Sequence, residues 1–198
     1  MNEEHARGEF LDLMRRLETE PEHVLQVTAL ALRLFDQLSP LHQLSSAERL
    51  LLEAASCLHD TGWTVAKDGS GHHKESARLI RAHPWQHFSA AEVEIIAQVA
   101  RYHRKAVPGA DHPEFIALNE HDRSNVQQLA ALLRIADALD RSHLQRVKRI
   151  DVEIAEQRLH FKLLTAKRVE VEILAAQKKG NLAEVLWKRT LEFEEVFV

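Results

Sequence analysis

Apolar residues recur every three or four positions along most of the first 143 residues of this chain. This spacing is typical of helices that bury one face in a protein core. Proline and capping signals agree with it, because Pro21 lies in the first turn of one helix and Pro84 follows another. The pattern predicts six helices, at residues 9–18, 19–38, 47–60, 73–83, 89–103 and 120–143.

The pattern changes after Val147 from helical spacing to alternation of apolar and polar residues, which is typical of half-buried strands. We therefore expect a small antiparallel β meander, followed by a charged amphipathic segment at 177–189 that forms a terminal helix. The predicted strands are 149–154, 158–163 and 169–173. The fold class is mostly α, with an all-helical part at 1–147 and an α+β appendage at 148–198 packed on it as one structural unit.

Composition narrows the class of protein. A length of 198 residues fits one domain, and 45% hydrophobic with 28% charged residues is usual for a globular protein. The net charge of −4 argues against dedicated nucleic-acid binding. Cys57 is the single cysteine, which excludes an intrachain disulfide. No signal peptide and no run of about 18 apolar residues is visible, so we expect a cytoplasmic protein without membrane contact, and a homodimer is left open.

Four side chains of the metal-ligand type lie at core-facing or helix-end positions in three of the predicted helices. His23 precedes Val27 by four residues and so lies on the same apolar stripe. Asp137 follows Leu133 by four residues and points the same way. A buried imidazole or carboxylate is costly without a partner, and a divalent metal would satisfy all of them. The four residues are His23, His59, Asp60 and Asp137.

Each of these residues also has a simpler interpretation when it is taken alone. Asp137 could form a buried ion pair with Arg134 or Arg141, and His23 could be a hydrogen-bonded core histidine. The adjacent His-Asp pair could be a solvated helix end. The coincidence of all three features favours a metal site.

Two further histidines could serve a second ion. His73 opens the helix after a glycine-containing loop, and His103 ends the helix that follows the Ser89 capping box. Each alone could equally be a surface histidine. Imidazole and carboxylate ligands suit manganese, iron, zinc or magnesium, and the mixture does not select among them. We therefore predict one or two divalent metal ions.

Basic residues flank these positions and would suit a phosphorylated substrate, whose charge they would neutralise. The alternative is that they are solvated helix faces. The candidates for phosphate binding are Lys74, Arg104, Lys105 and Arg141. The predicted catalytic residues are His59 and Asp60, as ligands of the reactive ion, together with Lys105.

These residues resemble the H…HD…D pattern of the HD-domain superfamily, whose fold is a helical bundle. The chain resembles in particular the C-terminal domain of the exopolyphosphatase/guanosine pentaphosphate phosphohydrolase family. The matching segments are 51–62, 70–76, 100–105, 132–143, 149–153 and 193–197. By this resemblance His23, His59, Asp60 and Asp137 fall on the superfamily's metal-ligand positions. His73 and His103 fall near those that supply a second metal.

One departure from that family affects the function. Its members place their hydrolytic machinery in N-terminal actin-like domains, and we expect this chain to lack them, because it contains no Asp-x-Gly-Ser phosphate loop. The first hypothesis is a metal-dependent phosphohydrolase that acts on a phosphoester or phosphoanhydride of a nucleotide or polyphosphate. The second is a non-catalytic or regulatory module that binds polyphosphate or a guanosine alarmone. The complete set of ligand residues favours the enzyme.

Overall fold

The computed structural model describes residues 2–198, so Met1 lies outside it. Within this range the chain forms ten α-helices, two short 3₁₀ turns at Thr61–Thr64 and Lys67–Gly69, and three strands. The helices are α1 Glu3–Leu17, α2 Pro21–Gln37, α3 Ser39–His42, α4 Ser46–Leu58, α5 His72–Ala82, α6 Ala90–Arg101, α7 Pro113–Ile116, α8 Glu120–Ala138, α9 Glu170–Lys179 and α10 Asn181–Trp187. The strands are β1 Val147–Ile154, β2 Arg158–Thr165 and β3 Thr190–Phe197. The predicted class, mostly α with a small C-terminal sheet, is confirmed.

Local signals fix the start of three of the longer helices. Ser45 and Ser89 each form a capping box with a glutamate three residues on, which satisfies the first backbone N–H groups of α4 and α6. The Asn119 side chain accepts the backbone N–H of Asp122 and caps α8. The sequence therefore placed these starts correctly to within a residue or two.

Helix α8 ends at Ala138, five residues before the predicted end at His143. The chain turns there because the carboxylate of Asp140 accepts the backbone N–H of Gln145 at 2.7 Å, and His143 takes a left-handed conformation with φ of 57°. A residue in that conformation cannot continue an α-helix. The early turn brings Asp140 and His143 close to the start of α2.

The core has α8 at its centre, packed against α2, α4, α6, α9 and α10. One hydrophobic cluster extends from Ala6 in α1 to Leu191 in β3, so the helical part and the C-terminal part share it. The division at residue 147 stays a prediction. None of the helices found in residues 2–198 has both the length and the apolar character that a membrane span requires.

The sheet differs from the predicted antiparallel meander. Strands β1 and β2 pair antiparallel as expected, but the predicted third strand at 169–173 is wrong, since those residues begin α9. Val169, Ile173 and Ala176 are spaced by four and three residues and face the core together, so five alternating positions were too few to distinguish strand from helix. The third strand is β3, which follows α9 and α10 and pairs with β2 in parallel, so the chain ends in a strand and not in a helix.

Candidate metal centre

Three buried side chains from three helices meet at the first group of ligand atoms. His23 lies in the first turn of α2, His59 caps the end of α4, and Asp137 lies in the last turn of α8. Asp137 Oδ1 is 3.6 Å from His23 Nε2 and 4.0 Å from His59 Nε2. The three ligand atoms all lie within 4.8 Å of one another, which is close enough to hold one metal ion.

A second group lies beside the first and consists of Asp60, His72 and His103. Asp60 Oδ1 is 3.3 Å from His72 Nε2 and 3.4 Å from His103 Nε2. The two imidazole nitrogens are 3.4 Å apart. All three side chains are buried, and the arrangement could hold a second ion.

Asp60 connects the two groups. Its Oδ1 faces His72 and His103, whereas its Oδ2 is 3.8 Å from His23 Nε2 and 3.7 Å from His59 Nε2. A carboxylate that offers one oxygen to each of two ligand groups is suited to bridge two metal ions, which lie about 3.5–4 Å apart in two-metal sites.

The four histidines of these groups share one orientation. In each, Nδ1 contacts an oxygen of the protein, so that Nε2 points toward the ligand group. A backbone carbonyl can only accept a hydrogen bond, and it therefore fixes the proton on Nδ1 and leaves the lone pair on Nε2. The four contacts are His23 to Asp140 Oδ2 at 2.9 Å, His59 to Ser56 O at 2.7 Å, His72 to Gly69 O at 3.1 Å, and His103 to Ala100 O at 2.7 Å.

Several atoms of the two groups are buried without a hydrogen-bond partner among the residues described. These are His23 Nε2, His59 Nε2 and Asp60 Oδ1. A buried polar atom left unpaired typically costs about 1–3 kcal/mol, so three in one place require an explanation. A divalent ion at each group would satisfy them with the ligand types that such ions take. The donor set of this protein therefore fits a metal.

The protonation states favour metal binding at most of these residues. Burial acts to raise the pKa of Asp60, but the nearby imidazoles of His59 and His72 outweigh it and hold that pKa far below its usual range. Asp137 behaves in the same way, since Lys179 and His23 lower its pKa against the effect of burial. Burial lowers the pKa of His103 to about 3. Ionised carboxylates and neutral imidazoles are the forms that bind metals.

His23 differs from the other ligand candidates. Burial acts to lower its pKa, but the neighbouring carboxylates of Asp137 and Asp140 outweigh burial and raise the pKa to about 9. A divalent ion at this imidazole would compete with a proton, and metal binding would release that proton. We therefore expect metal affinity to fall as the pH is lowered.

His72, and not the predicted His73, belongs to the second ligand group. The sequence placed His72 in the loop and began the helix at His73, whereas α5 begins at His72, after Gly71 in a left-handed conformation with φ of 79°. One residue along a helix turns the side chain by about 100°, which decides which of two adjacent histidines faces Asp60. His73 is also buried, but it lies outside both ligand groups.

A cleft of about 460 Å³ opens beside Asp60 and Asp137. Arg104, Lys105 and Arg141, three of the four predicted phosphate-binding residues, line it. Lys74 is exposed on α5 and is not among the lining residues. Cationic side chains thus line a cleft that adjoins the two ligand groups.

The structure also brings in residues that the sequence did not indicate. Lys179 Nζ forms an ion pair with Asp137 Oδ2, although 42 residues separate them in sequence. Neither Arg134 nor Arg141 is paired with Asp137 in the part of the chain described here, so the partner of that carboxylate differs from the predicted alternatives. Asp140 Oδ2 contacts Nδ1 of His23, whereas Nε2 of the same ring points toward the ligand group. No local pattern marks such contacts, because they depend on how the helices pack.

Gly62 supports a testable prediction about the position of α5. A Cβ atom at Gly62 would lie 2.1 Å from the backbone oxygen of His72 and 2.5 Å from the backbone nitrogen of Ser76. Gly62→Ala should therefore push α5 and His72 away from Asp60. We expect a loss of about 1–3 kcal/mol of stability, the usual cost of overpacking, and a melting temperature lower by about 2–12 °C, measured by circular dichroism.

Gly8→Ala is the matched control for this substitution. Gly8 lies within α1, and nothing lies within 4 Å of an added Cβ there. Alanine is favoured over glycine inside a helix by roughly 0.5–1 kcal/mol, so this variant should melt slightly above the parent. An unchanged melting temperature for Gly62→Ala would show that the close approach is not required.

Comparison with known proteins gives a family match whose range includes all residues of the two ligand groups. The family model described as Ppx/GppA phosphatase, domain III, matches residues 9–183. A guanosine-5'-triphosphate,3'-diphosphate pyrophosphatase from Photobacterium profundum is 29% identical over 156 residues, which is 78% of this chain. The match covers 30% of that protein, so this chain corresponds to less than a third of the length of its relative.

Proposed function

This chain belongs to the Ppx/GppA phosphatase domain III family, and on that premise we propose that it is a metal-dependent phosphohydrolase of the HD type. Its substrate would be a phosphoester or phosphoanhydride of a nucleotide or polyphosphate. The observation that carries the proposal is the pair of buried His/Asp groups that share Asp60 at the edge of a cation-lined cleft.

The ligand residues have defined roles in this proposal. His23, His59 and Asp137 would hold one ion, His72 and His103 a second, and Asp60 would contact both. Ions held there would polarise a phosphate and lower the pKa of bound water toward neutrality. The backbone carbonyls behind His59, His72 and His103 keep each Nε2 in place, so that the ligands need little reorganisation.

The cations of the cleft would bind the phosphate groups. Arg104, Lys105 and Arg141 line it close to Asp60 and Asp137, where they could neutralise phosphate oxygens and the negative charge that develops in the transition state. Arg104 Nη1 also lies 3.2 Å from His72 Nε2, which places one of these cations directly at a ligand.

The second candidate function is a non-catalytic module that binds polyphosphate or a guanosine alarmone. It is favoured by one observation, namely that the matched region is only 30% of a relative named as a pyrophosphatase. The corresponding part of that relative could serve binding or regulation. The complete set of ligand residues favours the enzyme over this alternative, because a module that only binds has no need to keep every ligand.

Metal analysis together with phosphate release tests the choice. We expect stoichiometric metal in protein prepared with manganese, magnesium, zinc or ferrous iron, and phosphate release from at least one member of a panel of nucleotides, alarmones and polyphosphates. Asp137→Ala should lower the metal content. Metal without any turnover across the panel would favour the binding module, and protein that takes up no metal would overturn both the site and the hydrolase.

The cleft cations provide a further prediction. Lys105→Ala and Arg141→Ala should each slow phosphate release while metal content stays unchanged. In the proposed complex each variant would lose a hydrogen bond to a charged phosphate, worth about 1.5–3 kcal/mol. If that contact is realised in the transition state, the rate falls about tenfold to a hundredfold. Steady-state kinetics with metal analysis of the same samples measures this.

Arg78→Ala is the control for these two variants. Arg78 is exposed on α5 and pairs with Glu75, an exposed ion pair of the kind that contributes little to stability. It should leave the rate of phosphate release equal to that of the parent, because Arg78 lies outside the cleft. Equal rates for all three variants would make Lys105 and Arg141 ordinary surface residues.

A further inference from the structure

Lys179, the last residue of α9, reaches the candidate metal centre from the C-terminal part of the chain. Its ammonium group pairs with Oδ2 of Asp137, whereas Oδ1 of the same carboxylate faces the Nε2 atoms of His23 and His59. Because the lysine takes the outer oxygen, the inner oxygen stays directed at the two imidazoles. Lys179 therefore lies beside the first ligand group and not within it.

Arg134 holds Lys179 in this place. Its guanidinium is buried, and Nε donates to the Lys179 carbonyl at 3.1 Å while Nη2 donates to Asn181 Oδ1 at 3.2 Å. Nη1 donates to the carbonyl oxygens of Tyr102 at 3.0 Å and Lys105 at 3.4 Å. One side chain thus ties the junction of α9 and α10 to the segment that carries Lys105. Arg134 thereby connects the side of the cleft that carries Lys179 to the side that carries Lys105.

The charge of the cleft calls for an anionic ligand. Arg134 has no carboxylate partner among the described residues, and a buried charge without a counter-ion is costly. Cationic side chains outnumber carboxylates in the lining, even before any metal is added. The charged lining residues are Arg104, Lys105, Arg134, Arg141, Lys178 and Lys179, with Asp60 and Asp137 as the carboxylates.

We propose that Lys179 is a phosphate-binding cation beside the metal centre and contacts the phosphoryl group of the substrate directly. This proposal rests on the proposed phosphohydrolase function and adds a residue to that site. A lysine ammonium has three hydrogen-bond donors, and Asp137 Oδ2 occupies one of them. The remaining donors can reach an oxygen of a phosphate placed at the adjacent ligand group, so that Lys179 links a ligand carboxylate to the substrate.

The test is binding of imidodiphosphate, a diphosphate analogue with a P–N–P bridge, to the metal-loaded full chain. Lys179→Met should weaken its binding at least tenfold, measured by calorimetry, while the metal content of the same sample stays at the parent value. Lys179→Arg, which keeps the charge, should retain most of the affinity. Lys188→Met makes the same change in net charge at an exposed position outside the cleft and should alter the dissociation constant less than twofold.

Each outcome bears on the proposal. Equal affinity of the parent and Lys179→Met overturns it, and so does a parent that binds metal but not imidodiphosphate. Loss of metal together with loss of binding also overturns it, because Lys179 would then act only by orienting Asp137. If Lys179→Met does not fold, as judged by circular dichroism, Lys179→Gln is measured in its place. Lys179-dependent binding in a protein that hydrolyses nothing would overturn the hydrolase and support the anion site.

Discussion

Asp60→Ala is expected to abolish metal binding at both ligand groups and to cause the largest loss of activity of any single substitution. Asp60 is the residue whose two oxygens face the two different groups, at 3.3–3.4 Å on one side and 3.7–3.8 Å on the other. Metal ions contribute several kcal/mol of transition-state stabilisation to phosphate hydrolysis, so the rate should fall by about 10³-fold or more. Elemental analysis and phosphate release on the same preparation measure both effects.

His103→Ala and Asp12→Ala separate the bridging role of Asp60 from general damage. His103 belongs to the second group alone, so its loss should lower the metal content without removing it. Asp12 is exposed on α1, where it pairs with Arg15, and its loss should change neither metal content nor rate. If Asp60→Ala keeps as much metal as His103→Ala, the carboxylate does not bridge the two groups.

Metal is expected to raise the melting temperature strongly. His23, His59 and Asp60 have buried atoms without hydrogen-bond partners in the described structure, and the folded state presents them together. An ion that binds only the folded state at 100 times its dissociation constant stabilises it by about 2.7 kcal/mol. For a domain of this size that corresponds to roughly 5–11 °C. Differential scanning calorimetry with and without a chelator measures the shift.

His59→Ala is the informative variant for this experiment, because it removes a ligand whose side chain is fully buried. The shift caused by the chelator should be smaller than in the parent, because only the second ligand group remains complete. Gly8→Ala keeps all ligands and should show the full shift. If the metal-loaded parent melts at one temperature in both conditions, the ligand groups do not bind metal in the folded protein.

The helical periodicity was sufficient to find the helices that carry the first ligand group. Val27 and Leu133 mark the buried stripes of α2 and α8, and their spacing to His23 and Asp137 placed both ligands on the buried side. This works because a helix has a fixed rotation per residue, so that sequence distance alone determines which residues share a face. The same argument could not say which helices meet.

The C-terminal part was harder to predict because its signals are short. The alternation at 169–173 favoured a strand, but the packing of α9 against α8 selected a helix. A crossover through two helices then placed β3 parallel to β2. Parallel pairing depends on a connection across the sheet and leaves no mark in the strand's own pattern. Tertiary packing overrode the local preference.

The sequence by itself determined the helical class, the capping of α4, α6 and α8, and the residue types available for a metal, since these depend on local spacing and chemistry. Only the tertiary structure decided that His72 and not His73 faces Asp60, that Asp60 offers an oxygen to each ligand group, and that Lys179 reaches Asp137. The last of these contacts joins residues 42 positions apart. They depend on the start of a helix to within one residue and on the angles at which helices pack, and neither quantity is encoded by any short segment of the chain.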